Sequence, residues 1–537
     1  MSRSTFQRMR RVFYKSMCNG KLQKAVLIAL SLVWSISINA NERNLIDAAR
    51  ESDLDQLRSL LESGSDPNVR QADGATALHW SVHKGDLESV NLLLEAKANV
   101  NATNRMGASP LFLAARNGDA VLLEELLIRG ANPNLKLEMG ETILMTAARS
   151  GTVEGVRLLI EAGADLNNRE GSREQTALMW AAAQGHMQVV EQLILAGADI
   201  DARSKLRPML MFVDGSNGGA FDQGVMENLG GYSPLLFAAK NGHLELAKLL
   251  ISAGAKIDGV SGNGATPLVV ATHSGYSDLA IMLLENGADP NAIGAGYNAL
   301  HAAILKGDKE TVGALLQHGA DPNQRVIKAT PTQRASEDWV LRTSHVNATP
   351  YWLAANFREP SIMRNLMEWG ADPSLTNEQE YERLRDRKSR LNPPSLDERF
   401  VVGGYANAIQ SAIRGESRRG RFYVQANQDP IVEEKLALEA VRIAVEHGVD
   451  VNASDFNGST ALHDAALRNL STVVSELSEL GANINALNDR GQTPLDLAVL
   501  GERNLAAGIL ALETPEHEGP TTRQVLEELG ALKSGEL

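Results

Sequence analysis

The chain has 537 residues, 43% of them hydrophobic but only 4% aromatic, with 66 acidic against 52 basic side chains and a net charge of −14. An acidic surface of that size repels DNA and anionic membranes, the composition speaks against a membrane channel, and a lone cysteine excludes a disulfide framework. Length alone would suggest several globular domains, but an array of repeats can absorb it in one quasi-linear body.

Residues 1–40 read as a signal peptide. Arg3, Arg8, Arg10, Arg11, Lys15, Lys21 and Lys24 precede an apolar run from Ala25 to Ile38, and Ile38-Asn39-Ala40 offers a small residue for cleavage after Ala40. Fourteen apolar residues are too few to span a bilayer comfortably, so no membrane span is expected after removal. Arg10-Arg11-Val12-Phe13 also resembles a twin-arginine signal, and both the general secretory route and twin-arginine export stay open. Cys18 would leave with this segment. The mature chain would carry 45 Lys and Arg (52 less 7) against 66 acids, a net of −21, and would be periplasmic or secreted.

From about Asn44 onward a Gly-Ala-Asp-x-Asn punctuation recurs, at Gly64, Lys97 (in the glycine slot), Gly130, Gly163, Gly197, Gly254, Gly287, Gly319, Gly370, Gly448, Gly481 and, degenerately, Gly530. Six of the eleven gaps are 33 or 34 residues, the mark of stacked supersecondary units. Within one unit, Asp73-Gly74 makes a turn and Thr76 caps a short helix whose buried side begins at Leu78. Gly85 ends it, and Leu87, Val90, Leu93 and Leu94 paint one face of a second helix. Neither helix can bury its apolar side alone, so each unit needs neighbours.

The period divides the chain into repeats over 41–201, 232–324, 347–375 and 431–512, with interruptions between. Residues 202–231 hold the apolar run Met209–Val213 followed by a glycine-rich stretch from Asp214, which reads as a hairpin finger or a loop. Residues 325–346 form a second inserted loop. Residues 376–430 are either an insertion or a degenerate repeat, with Tyr405 to Ile413 and Val432 to Glu446 as a candidate helix pair. Arg383 to Arg421 contains ten Lys/Arg against four acids, which fits a contact patch or a solvated loop. Residues 513–537 read as a degenerate C-terminal cap.

The Thr-x-Leu-x motifs that open the units are Thr76-Ala77-Leu78-His79, Thr142-Ile143-Leu144-Met145, Thr176-Ala177-Leu178-Met179, Thr266-Pro267-Leu268-Val269, Thr460-Ala461-Leu462-His463 and Thr493-Pro494-Leu495-Asp496. On these the chain resembles ankyrin-repeat proteins, and several units are similar to those of bacterial secreted members. The resemblance implies an all-α solenoid of about 11–12 units that binds other proteins by finger turns and by a concave face of first helices. It places Arg50, Lys84, Arg116, Arg149, Lys240 and Lys306 on that concave face, a cationic stripe on an acidic chain suited to an acidic protein segment, although basic residues here are also ordinary wording for the family. At the finger tips it places Arg105, Met106, Glu138, Met139 and Phe456, of which Met and Phe are candidate anchors.

Signals for chemistry are poor. His79 and His83 lie four apart but lack a zinc motif, and His79 sits in the slot of a turn-bonding histidine in the family. Gly294-Ala295-Gly296-Tyr297-Asn298-Ala299 has dinucleotide-like spacing without a preceding strand. No phosphate-loop lysine or Gly-x-Ser-x-Gly occurs. The expectation is therefore a non-enzyme without cofactor or metal, an exported scaffold that binds, protects or regulates an envelope or periplasmic protein, probed against one alternative: a small-ligand, metal-binding or enzymatic role carried by the insertions.

Overall fold

The structure, a computed structural model, describes residues 45–213, 223–330, 340–377, 405–415, 430–506 and 519–537. The signal segment, the glycine-rich stretch after Val213 and most of the basic insertion lie outside the described residues. The chain divides into two units, one ending at Asp199 and one from Ile200 to Leu537. Among the described residues no helix is long and apolar enough to cross a membrane.

In the first unit a helix over residues 45–51 and the helices Ala77–Lys84, Pro110–Asn117, Ile143–Ser150 and Ala177–Gln184 are each followed by a second helix: Leu54–Glu62, Leu87–Glu95, Ala120–Ile128, Val153–Glu161 and Met187–Leu195. Local rules write this pattern. Ser109 and Thr176 cap the first helices by accepting from the amides of Phe112 and Met179, and Gly118 and Gly185 end them in the left-handed conformation. Asp86 and Asp119 then cap the second helices. First helices pack on first helices and second on second, with Leu78, Leu111, Leu144 and Leu178 fully buried between them.

The punctuation is a hydrogen-bond ladder. Asn68 Oδ1 accepts from Asn99 N at 2.7 Å, Asn101 from Asn132 N at 2.7 Å, Asn134 from Asp165 N at 2.9 Å and Asn167 from Asp199 N at 2.8 Å. The same amides reach forward, Asn101 Nδ2 to Gly130 O at 3.1 Å and Asn134 Nδ2 to Gly163 O at 3.0 Å. Finger turns are tied as well, Arg105 N to Asp73 O at 2.8 Å and Glu138 N to Met106 O at 3.1 Å. Removing one rung, as in Asn134→Ala, is expected to cost about 1 kcal/mol and to raise hydrogen exchange at Asp165 and its neighbours. Unchanged exchange there would count against the ladder as a source of stability.

In the second unit the ladder runs across the insertions. Asp201 Oδ1 accepts from Lys256 N at 3.0 Å although 55 residues separate them, and Asn323 Oδ1 accepts from Asp372 N at 2.7 Å across 49. Repeats thus stack as if the inserted residues were absent. The helix pairs are Pro234–Asn241 with Leu244–Ser252, Pro267–Ser274 with Ser277–Glu285, Ala299–Lys306 with Lys309–Gln317, Pro350–Asn356 with Pro360–Glu368, Ala408–Arg414 with Pro430–Glu446, and Ala461–Leu467 with Ser471–Glu479, followed by Pro494–Ala506 and Thr522–Glu528. Ala408–Arg414 packs directly on Pro350–Asn356, and Pro430–Glu446 on Pro360–Glu368, which leaves room for one helix pair in this region.

Two strands, β1 (Arg207–Val213) and β2 (Gln223–Leu229), pair antiparallel with Leu210 opposite Met226. Their alternation turns Met209, Met211 and Leu229 toward Ala329 and Val346 of the second insertion, and Glu227 pairs with Lys328 at 3.1 Å. The two insertions therefore fold against each other.

Candidate protein-binding face

In the first unit the last turn of each first helix carries the side chains that the family resemblance singles out. Lys84, Arg116 and Arg149 are exposed. Arg116 Nη2 lies 3.2 Å from His83 Nδ1, and Asn117 beside it donates to His83 O at 3.1 Å, so the two repeats are joined through His83. Arg149 pairs with Glu141 at 3.2 Å and lies over the Trp180 ring of the next repeat at 4.8 Å. Arg50 repeats that geometry, 4.7 Å over Trp80, but it also pairs with Asp47 at 3.0 Å and donates to Gln71 at 2.9 Å. Stacking on an indole face fixes a guanidinium in the plane while leaving its edge N–H groups directed outward.

Trp80 and Trp180 occupy the same slot, the fourth helical position, and their role as floors for arginine was not read from the sequence. The signal available was an aromatic in that slot on a chain with few aromatics. The two differ in one respect. Trp80 Nε1 donates to Gln71 Oε1 at 3.2 Å, whereas the buried Trp180 Nε1 has no acceptor among the described residues. Glu170, which stands at the place of Gln71, is turned into its own finger, accepting from the amides of Ser172 and Arg173 at 2.6 and 2.7 Å and of Gln175 at 3.2 Å. Those bonds hold its carboxyl below the usual range even though burial opposes ionisation.

In the second unit Lys240 is exposed and its Nζ lies 5.6 Å from the Tyr232 ring centre. Lys306 is half-buried, and its neighbour Leu305 is fully buried, so one of the paired positions points into the stack. Phe357 does the same, covered by the His345 ring of the second insertion at 5.3 Å.

At the finger tips Arg105 is exposed, and Met106 and Met139, one repeat apart on tied turns, are 69% and 65% exposed. Phe456 stacks with Tyr405 at 6.4 Å and stays partly open. His79 points inward. Its Nδ1 accepts from Thr76 N at 3.2 Å and its Nε2 donates to Ala108 O of the next repeat at 3.0 Å, so it is spent on capping and stacking rather than shared with His83. Among the described residues no cluster of His, Cys, Asp or Glu is placed to hold a metal. Gly294 and Gly296 belong to an inter-repeat turn, where a Cβ on Gly294 would lie 2.6 Å from Gly264 O.

A family model described as ankyrin repeats (3 copies) matches residues 45–136, 112–204, 212–294 and 235–326, and a second, ankyrin repeats (many copies), matches residues 445–498. The chain belongs to the ankyrin-repeat family. Among curated proteins it is similar to the E3 ubiquitin-protein ligase KEG of Arabidopsis thaliana, 26% identical over 319 residues that make 56% of this chain and 18% of that protein. It is also similar to palmitoyltransferase ZDHHC17 of Danio rerio, 32% identical over 38% of this chain and 30% of the relative. The B-cell lymphoma 3 protein homolog of Mus musculus is 36% identical over 37% of this chain and 39% of the relative. The ankyrin-repeat chain thus spans well under half the length of these relatives, and the activities in their names are theirs. What the family brings is a stack of repeats that binds other proteins.

Proposed function

We propose that this ankyrin-repeat protein is an exported scaffold that holds, protects or regulates an envelope or periplasmic protein, with no catalysis of its own. The observation that carries the binding role is the open first-helix and finger face of the first unit. There Lys84, Arg105, Met106, Arg116, Met139 and Arg149 stand in solvent on repeats tied to one another by backbone bonds. Rigid elements presenting varied side chains at a fixed period make a recognition surface without further folding cost. Export is supported by the basic start and the apolar run Ala25–Ile38.

Pull-down of the mature chain from native envelope extract is expected to recover one stoichiometric partner, and Arg116→Glu is expected to lower that recovery. Recovery of nothing at native expression levels would sink the reading. Export has its own check: N-terminal sequencing of the protein from fractionated cells is expected to begin at Asn41, and an intact Met1 confined to the cytosol would overturn it.

A further inference from the structure

Charge is sorted between the two sides of the first unit. Its second helices carry nine acids, Asp55, Glu62, Glu88, Glu95, Glu124, Glu125, Glu154, Glu161 and Glu191, against Arg58 and Arg157. Its first helices from Ala77 onward carry cations only, one in each of three successive repeats: Lys84, Arg116 and Arg149. The helix over residues 45–51 does not extend the row, because it carries two acids of its own, Asp47 and Glu51, beside Arg50.

The three cations are spaced by packing. Ala77–Lys84, Pro110–Asn117 and Ile143–Ser150 lie side by side in direct contact, and packed helices sit about 8–10 Å apart. A polyproline II segment, the extended form with three residues per turn, rises about 3.1 Å per residue, so every third side chain returns to the same face after about 9 Å. The geometry points to an extended acidic segment running along the stack, with a carboxylate at every third residue, one each for Lys84, Arg116 and Arg149. This deepens the binding role proposed above and rests on it.

The receptors can accept such groups. A guanidinium has five N–H donors, of which Arg116 directs one at His83 and Arg149 one at Glu141. The Trp180 ring holds Arg149 flat, so little side-chain freedom is lost when a carboxylate docks on its edge. A compact cluster of acids would reach one repeat and leave the other two cations unanswered.

The test uses the full mature chain and three synthetic peptides of one composition: Glu-Gly-Ser-Glu-Gly-Ser-Glu, an isomer with its glutamates adjacent, and an isomer with them at every second residue. At low salt the every-third peptide is expected to bind roughly tenfold tighter than either isomer, an advantage that fades as salt rises. Lys84→Glu with Arg116→Glu and Arg149→Glu, with helical content verified by circular dichroism, is expected to transfer the preference to the lysine version of the same peptide. Equal affinity for the three isomers, or binding to none, would overturn the spacing. If the chain still captured its envelope partner in that case, the scaffold role would stand and only this inference would fall.

Discussion

Replacing Arg358 by alanine is expected to destabilise the repeats around it by roughly 3–5 kcal/mol, the range for removing one partner of a buried ion pair. The side chain is 7% exposed and faces Glu433, also largely buried. Its other bonds explain why it is there. In most repeats a first helix ends in a left-handed glycine and the chain turns back at once, so that Asp119 N, for example, returns to Ala114 O. Helix Ala408–Arg414 has no such return. Gly415 is extended there, and the chain leaves toward residues outside the described ones. Arg358 supplies donors to the carbonyls at that end, Nε to Ala412 O at 3.1 Å and Nη2 to Gly415 O at 2.6 Å.

Arg358 does this from the slot where most repeats have glycine and two have Ser52 or Asn469, at φ 55°, a backbone cost of order 1 kcal/mol that the bonds offset. Glu434, next to its ionic partner, accepts from Thr472 N at 3.0 Å and so caps the following repeat's second helix, whose own N-cap residue is Leu470. The loss should therefore spread over 405–415, 430–446 and 471–479. Because repeat arrays unfold in parts, site-resolved hydrogen exchange is the measurement. Arg358→Lys should recover less than half, since an ammonium cannot fork to several carbonyls at once. Exchange in those segments unchanged by Arg358→Ala would refute the role.

Mild acid is expected to weaken the array through its buried histidines. His301 is fully buried, with Nδ1 accepting from Asn298 N at 3.2 Å and Nε2 donating to Gln324 O at 2.8 Å. Burial pushes its pKa down to about 4. His345, buried against Trp352 and Phe357, falls to about 3 for the same reason, with Arg342 adding to the shift. Burial also lowers His79 and His463, which make the same pair of bonds as His301. Protonation would place a hydrogen on Nδ1 against an amide N–H and break the cap.

The sign follows from linkage. In the unfolded chain these histidines titrate near 6.5, so between 6.5 and the folded value the unfolded state binds the extra proton. The stability they give is complete above pH 6.5 and is lost as pH falls toward 4, about 3 kcal/mol for His301 alone. Helix Ala408–Arg414 already carries a version that does not titrate. Gln410 Oε1 accepts from Asn407 N at 3.2 Å and its Nε2 donates to Ser459 O at 2.7 Å. His301→Gln is therefore expected to keep stability at pH 7.5 within about 1 kcal/mol and to flatten its fall between pH 6.5 and 5. Urea midpoints against pH decide this, and a parallel fall in the variant would remove His301 as a source.

The sequence by itself determined the repeat. Thr76, Gly85, Asp86, His79 and the periodic asparagines act on partners three or four residues away or on one fixed slot of the next unit, so one unit's reading transferred to all of them. The exposed Lys84, Arg116 and Met106 were legible for the same reason, since a slot's exposure repeats with the period. Tertiary structure decided what does not repeat: that Met211 meets Ala329 across two insertions, that Arg149 rests on Trp180, that Leu305 and Phe357 turn inward, and that Arg358 ends a helix 54 residues further on. These contacts join residues with no common period, and a burial gain between distant segments leaves no local pattern; only the packed stack brings such side chains within reach of one another.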